Sequence, residues 1–394
     1  MSEKRKTAIF YAYSNNALDH LAPYIFLCHK KNIHCVVVYG EDFVSRKVFP
    51  NNKIDYILRS NKIDIYNIPF FEKKGFIKRI FYYVWLLTGL IEHKKYIPNY
   101  LKSKFKGLCK RLYNGLDRNI IGRNIAKNLM KDSGKIYVFT DNCSGKDIKI
   151  NFLFEMKEHA KIITTGHGVW QQNKILEKGH FVEDIALLTN KWEAISKDYL
   201  KNIEVIGSLR FSKNWIKVLD DHSSKEKSII DKKKNITVLM SPKHMTKDWK
   251  QMFNVLIKLI SIKEANVILL PHIRGMSSSK PPEEFKNNWY KNLTLDTAIK
   301  NSDIIIFWGS TAIFEAVVRR KEILYLSFLD INENDYLWID NISKKTLIKN
   351  ENELFEAINN YKVNNIPNYD NFKKIIWPNE DPWINASNFL DKII

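Results

Sequence analysis

Short apolar runs recur along the chain, each bounded by polar residues and followed by a stretch of helical periodicity. In the first half they are Thr7–Tyr13 (TAIFYAY), His34–Tyr39 (HCVVVY), Lys135–Thr140 (KIYVFT), Lys161–Thr165 (KIITT) and Glu204–Ile206. In the second half they are Asn235–Met240 (NITVLM), Asn266–Leu270 (NVILL), Asp303–Phe307 (DIIIF) and Glu322–Ser327 (EILYLS). Runs rich in β-branched and aromatic residues, alternating with helices of ten or more residues, predict parallel sheets covered by helices on both faces. The rhythm breaks at Asp220–Lys234 (DDHSSKEKSIIDKKK), a charged stretch that reads as a linker. The pattern therefore predicts an α/β protein of two doubly wound domains, residues 1–219 and 235–370, joined by 220–234. In the tail, residues 371–394, Trp377, Trp383 and Phe389 lie at helix-compatible spacing and predict a helix returning to the first domain.

Length and charge narrow the field. The 394 residues suffice for two cores, and 45% apolar content excludes a disordered chain. Lys and Arg number 63 against 43 acids, a formal charge of +20, which favours anionic partners. Residues 59–127 depart from the α/β rhythm: 16 basic residues against four acids, interleaved with Phe70, Phe71, Phe76, Phe81, Tyr82, Tyr83 and Trp85. Such a mixture suits amphipathic helices lying on an anionic membrane surface, and equally a domain core with a solvated basic face. The longest apolar run, Ile80–Ile91, has 12 residues, where a spanning helix needs about 20. The basic N-terminus lacks the apolar stretch of a secretory signal. These features predict a cytoplasmic chain, peripheral on the inner face of the cytoplasmic membrane. Cys28, Cys35, Cys109 and Cys143 form no CxxC pair, so neither zinc nor a disulfide framework is expected.

Ligands of open α/β sheets bind beyond the carboxyl ends of the strands, so polar residues there are the candidates for chemistry. In SDIIIFWGSTAIFEAVV (302–318), the strand runs into Gly309-Ser310-Thr311 and a helix expected to reach about Arg320. Backbone N–H groups and two hydroxyls there suit a phosphate, and Glu315, one turn on, suits a ribose hydroxyl pair. An ordinary capped helix would use the same residues. Two further strand ends carry matching groups: Ser241 and Lys243 in MSPKH, and His272 and Arg274 in PHIRG. Three such loops suit a nucleotide-phosphate pocket, with Arg274 offering a planar fork. In the first half, Asp141 ends KIYVFT and His167 lies between two glycines in TTGHGVW. Either is a candidate catalytic base, or in the case of Asp141 a carboxylate nucleophile; turn capping is the plainer role for Asp141.

Several chemistries lack their motif. There is no GxxxxGK[ST], no GxGxxG after the first strand, no HExxH, and no pair of aspartates separated by a single intervening residue. No metal and no cofactor is expected, and stabilisation of a leaving phosphate falls to Arg, Lys, His and backbone amides.

Taken in order, GHG (166–168), IGSLR (206–210), a strand ending in SP (241–242), LPH (270–272) and SDIIIFWGSTAIFEAVVRRKEILYL (302–326) resemble a glycosyltransferase of the two-domain GT-B type. The likeness is to enzymes with cytidine-activated donors: Kdo transferases of capsule and O-antigen assembly, bacterial sialyltransferases, and CDP-glycerol glycerophosphotransferases. The resemblance implies two Rossmann-like domains facing across a cleft, an acceptor on the first and the donor nucleotide on the second. It implies CMP contacts at His272, Ser310 and Thr311, and a ribose or donor contact at Glu315. The activity expected is transfer of Kdo from CMP-Kdo to a glycan or glycolipid acceptor in bacterial surface-polysaccharide synthesis. Sialyl transfer and glycerophosphate transfer are the alternatives, with epimerisation of a sugar nucleotide on the same fold a third. Nucleic-acid binding is disfavoured, because the polar groups gather at strand ends and form no basic stripe with stacking aromatics.

Overall fold

The computed structural model describes residues 6–40, 52–67, 98, 104, 125–131, 134–141, 147–166, 184–190, 202–223, 233–272, 281–290, 293–331, 346–362 and 369–394. The chain divides into two compact units, Met1–Arg210 with Pro382–Ile394, and Phe211–Asp381. In the first unit, β1 (Thr7–Ala12), α1 (Asn15–Lys30), β2 (His34–Tyr39), α2 (Asn52–Ser60) and β3 (Asp64–Asn67) come first. Then follow β4 (Ile136–Asp141), α3 (Asp147–Met156), β5 (Ala160–Thr165), β6 (Ile185–Leu188) and β7 (Ile203–Val205). The strands form one parallel sheet in the order β3-β2-β1-β4-β5-β6-β7. Strand order reverses between β1 and β4.

This sheet is doubly covered because adjacent residues of a strand point to opposite faces and both are apolar. Phe10 pairs in register with Phe139 and stacks on it at 4.9 Å, with Tyr24 of α1 above at 6.1 Å. The next residue, Tyr11, meets Phe152 of α3 on the other face at 5.2 Å. Helix α1 starts at the extended Ser14, whose hydroxyl accepts from the N–H of Ala17 at 3.3 Å. Gly40 lets two strand ends approach: a Cβ there would sit 2.8 Å from Tyr13 Cα, and its N–H donates to Ala12 O at 2.8 Å.

The second unit contains α4 (Lys213–Ser223), β8 (Lys234–Leu239), α5 (Trp249–Ile260), β9 (Ala265–Leu270), α6 (Leu295–Lys300), β10 (Ile304–Phe307) and α7 (Ile313–Val318). It continues through β11 (Glu322–Leu326), β12 (Leu347–Ile348), α8 (Glu351–Asn360) and α9 (Asp370–Lys373). Its strands are all parallel, in the order β12-β11-β10-β8-β9, reversing between β8 and β10. The last helix, α10 (Pro382–Ile393), belongs to the first unit.

Two boundaries differ from those read in the sequence. Helix α4 packs within the second unit, although the charge pattern assigns most of it to the first domain. Trp215 is buried, Phe211 contacts Phe314 at 5.8 Å, and Trp377 Nε1 donates to Phe211 O at 3.1 Å. Asp220, at the head of the supposed linker, is ion-paired to Arg319 of the same unit. Residues 371–381 likewise stay in the second unit, where Ile375, Ile376 and Trp377 are buried. Strands β3, β6 and β12 were not legible. Most of the basic stretch 59–127 and all of the run Ile80–Ile91 lie outside the described residues, and among those described no helix is long and apolar enough to cross a membrane.

Helix α10 buries Pro382, Ala386, Phe389 and Leu390 at helical spacing. Its end is fastened polar group by polar group: Tyr137 Oη and Lys135 Nζ both donate to Ile393 O, and Lys31 pairs with Asp391 at 2.6 Å. Phe389→Ala is expected to destabilise the first unit by roughly 3 kcal/mol, read as a lower urea midpoint. Ile384→Ala, on the exposed side of the same helix, should stay within about 0.5 kcal/mol of the parent.

Candidate functional site

The second sheet carries its polar chemistry at one edge. Because β8 lies between β10 and β9, the carboxyl ends of all three strands are neighbours. They bring Ser241 and Lys243, His272, and Gly309-Ser310-Thr311 to the same edge, and the first and last sets flank the point where strand order reverses. Arg274 lies outside the described residues.

Two turns face this point. The first, residues 241–247, contains a single 3-10 turn, Lys243–Met245, with Lys243 and His244 exposed at its apex. Lys243 Nζ lies 6.0 Å from the Trp249 ring centre. The second turn follows Trp308, which is fully buried, and starts at Gly309 with φ 58°, a left-handed conformation that favours glycine. Gly309, Ser310, Thr311 and Ala312 are half-buried. Ser310 Oγ accepts from the N–H of Ala312 at 3.4 Å. Helix α7 begins only at Ile313 and ends at Val318, shorter than the sequence pattern predicts. Its Ala312 cap has no side-chain bond, so hydroxyls and turn amides, more than a long helix dipole, are what this edge offers an anion. His272 is half-buried just beyond β9.

Three of the residues singled out in the sequence do internal work in the structure. Ser241 is fully buried and its hydroxyl donates to Trp308 O, which ties β8 to β10 and takes the donor away from a phosphate. Glu315 is buried and accepts from Arg319 Nε at 3.0 Å, on the same helix face at i, i+4. Arg319 also forks onto Asp220 of α4, Nη1 to Oδ2 at 3.0 Å and Nη2 to Oδ1 at 2.8 Å. Burial alone would lower the Arg319 pKa, yet the bonds to Asp220 and the charges of Glu315 and Asp220 raise it above the ordinary value. Glu315 is thus part of the anchor holding α7 to α4, and a ribose contact would have to compete with that guanidinium.

Asp141 is the third. It ends β4, beside the reversal point of the first sheet, and its side chain is fully buried. Lys149 of α3, also buried, donates to Asp141 Oδ1 at 3.0 Å and to Asp141 O at 2.7 Å. A carboxylate so paired is a pin between strand and helix; a free base needs an open lone pair facing solvent or substrate. His167 lies outside the described residues. Beside Asp141, in register with it, stands Thr165 of β5. Among the described residues, the buried hydroxyls of Thr164 and Thr165 find no hydrogen-bond partner.

The sequence pattern does not reveal Lys149, Arg319, Trp308 or Thr246: Lys149 reaches Asp141 eight residues away, while Arg319 reaches Asp220 and Trp308 reaches Thr246 across 99 and 62 residues. Arg210 stood inside the IGSLR stretch but was not singled out. Its guanidinium reaches Asp19 at 3.4 Å and Asn16 at 3.5 Å, at the start of α1. The chain after β7, turning at Gly207 with φ 94°, therefore runs back over the carboxyl end of the first sheet.

No family model and no curated protein sequence matches the chain. Solved structures do. It is similar to UDP-GlcNAc 2-epimerase from Methanocaldococcus jannaschii over 98% of its own length and 99% of that chain, with 12% identity and a TM-score of 0.56. The glycotransferase of kitacinnamycin is matched over 99% of both chains at 8% identity and a TM-score of 0.53. A calicheamicin glycosyltransferase is matched over 99% of this chain and 98% of its own at 7% identity and 0.51. The two parallel α/β sheets are those of the GT-B fold.

Arg319→Met takes the guanidinium from Glu315 and leaves Asp220 with Lys300, at 3.8 Å, as its ion-pair partner, and is expected to destabilise the second unit by roughly 3 kcal/mol in urea denaturation. Arg319→Lys keeps the charge but loses the fork, and should recover only part of that loss.

Proposed function

We propose that this protein is a glycosyltransferase that draws its sugar from a nucleotide donor. The observation that carries the reading is the reversal of strand order between β8 and β10, bracketed by Lys243-His244 on one side and Gly309-Ser310-Thr311 on the other. In open parallel sheets that is where nucleotides bind. Support comes from the fold, since similar structures include glycosyltransferases and an epimerase of a UDP-linked sugar.

In this reading an acceptor hydroxyl attacks the anomeric carbon and the bond from that carbon to the donor phosphate breaks. The electron pair leaves with the phosphate. Lys243, His272, Arg274 and the Ser310 and Thr311 hydroxyls stabilise the charge that develops there. The acceptor proton goes to a base. His167 is favoured over Asp141 for that role, because Asp141 is held by Lys149. The acceptor in this reading is a glycan or glycolipid.

For the donor we favour CMP-Kdo, which is anionic and suits a chain of formal charge +20. The same balance suits a protein working on the anionic inner face of the membrane. A second reading, a sugar-nucleotide 2-epimerase, is favoured by the likeness to the enzyme from Methanocaldococcus jannaschii over 98% of the chain. The two differ without any structure: transfer needs an acceptor, and epimerisation releases or converts sugar in its absence.

The test is thermal denaturation with CMP, CDP, UDP, GDP and ADP. A ligand of the folded state at a hundredfold excess over Kd adds about 2.7 kcal/mol of stability. Selective stabilisation by CMP is expected. Preference for UDP would replace the donor, and no response to any nucleotide would overturn the nucleotide-binding reading. His272→Ala is expected to weaken binding of the preferred nucleotide about tenfold by calorimetry, with the fold retained.

A further inference from the structure

Lys243 and the Gly309 turn belong to loops 66 residues apart in the chain, yet one side chain joins them. Trp308 is fully buried at the end of β10, and its backbone leads directly into Gly309. Its indole Nε1–H donates to Thr246 Oγ1 at 2.9 Å, at the far end of the Lys243 turn. The Thr246 hydroxyl then donates to Pro242 O at 3.3 Å, which closes that turn from the inside. At the near end, Ser241 Oγ donates to Trp308 O. The residue that follows β10 therefore holds the loop after β8 at both of its ends, through its indole and through its carbonyl.

A third element braces the same loop. Thr246 forms an antiparallel bridge with Asp330, and Lys247 N–H donates to Leu329 O at 2.9 Å. Asp330 is itself buried and accepts from Tyr325 Oη of β11 at 3.1 Å. Within the turn, Met245 N–H donates to Pro242 O at 2.9 Å and Thr246 N–H to Lys243 O at 3.2 Å. The polar atoms of this cluster thus satisfy one another in a buried setting, where an unmet donor is costly. What remains exposed is the apex, Lys243 and His244.

The geometry points to Trp308 and Thr246 as positioning residues for the nucleotide site: they make the Lys243 turn and the Gly309–Ala312 turn a single preorganised cradle for the donor's phosphates. The inference rests on the nucleotide-sugar reading for its ligand, and on hydrogen bonds alone for the coupling. Neither side chain touches the ligand; each acts by fixing where Lys243 and the Ser310 and Thr311 hydroxyls stand before the phosphate arrives, so that binding need not order them.

Trp308→Phe removes the N–H while keeping an aromatic ring in the core, and Thr246→Val removes the hydroxyl at nearly constant volume. Both are compared with the parent by amide hydrogen exchange of the unliganded protein, by the Kd for the nucleotide that best stabilises the parent, and by donor and acceptor KM. Exchange is expected to quicken together in residues 245–247 and 309–312 in each variant. The nucleotide Kd and the donor KM should rise roughly three- to tenfold, the acceptor KM staying as in the parent. Faster exchange in one turn alone overturns the coupling. A lower melting temperature with parental nucleotide Kd overturns the positioning role. A parent that binds no nucleotide refutes the enzyme reading instead, and exchange still decides whether the two turns are one body.

Discussion

Burial of both faces of a parallel sheet is the constraint from which the other features of this protein follow. A strand such as β10, Ile304–Phe307, has apolar side chains above and below and parallel neighbours on either side. No polar group is accommodated along it except as part of the ladder. Polar chemistry is displaced to the strand ends, and at the carboxyl end it meets the loops that turn into helices. Each sheet then has one place, where strand order reverses, at which those loops splay apart. In the second unit that place lies between β8 and β10; in the first it lies between β1 and β4.

Much of the strand content could be read directly, because a run like AIFYA or IIIF has no other comfortable environment. The strands that escaped were of a different kind. IALL in β6 consists of good helix formers, and DIYN in β3 and the two-residue β12 are too short to show a period. The domain boundary was misread for a related reason. Asp220 and its neighbours look like a solvated linker by charge alone, but Asp220 has a partner, Arg319, some hundred residues on, which no local pattern reveals.

The candidate site was legible in its positions more than in its roles. Strand ends carrying Ser, Lys, His and Thr were visible, and the topology does bring three of them to one edge. What each hydroxyl or carboxylate does depends on the neighbour that the fold sets beside it. Ser241 faces the carbonyl of Trp308, Glu315 faces a guanidinium shared with α4, and Asp141 faces Lys149. A buried carboxylate next to a cation is more stable as an ion pair than as a reagent, since parting the two would strand a charge in a poorly solvated place. Reactivity and anchoring use the same residue types, and the surroundings decide between them.

Helix α10 also bears on the order in which the protein can be made. Residues 382–394 complete the first unit, yet they are synthesised after every residue of the second. As the chain emerges, the first seven strands could collapse early, but the groups that pack against α10, Phe26 and the Tyr137 hydroxyl among them, wait for residues 382–394. The second unit, whose strands β8 to β12 lie wholly within one continuous stretch, faces no such wait. The first unit, whose seven strands precede the whole of the second, is therefore closed by a helix made after it.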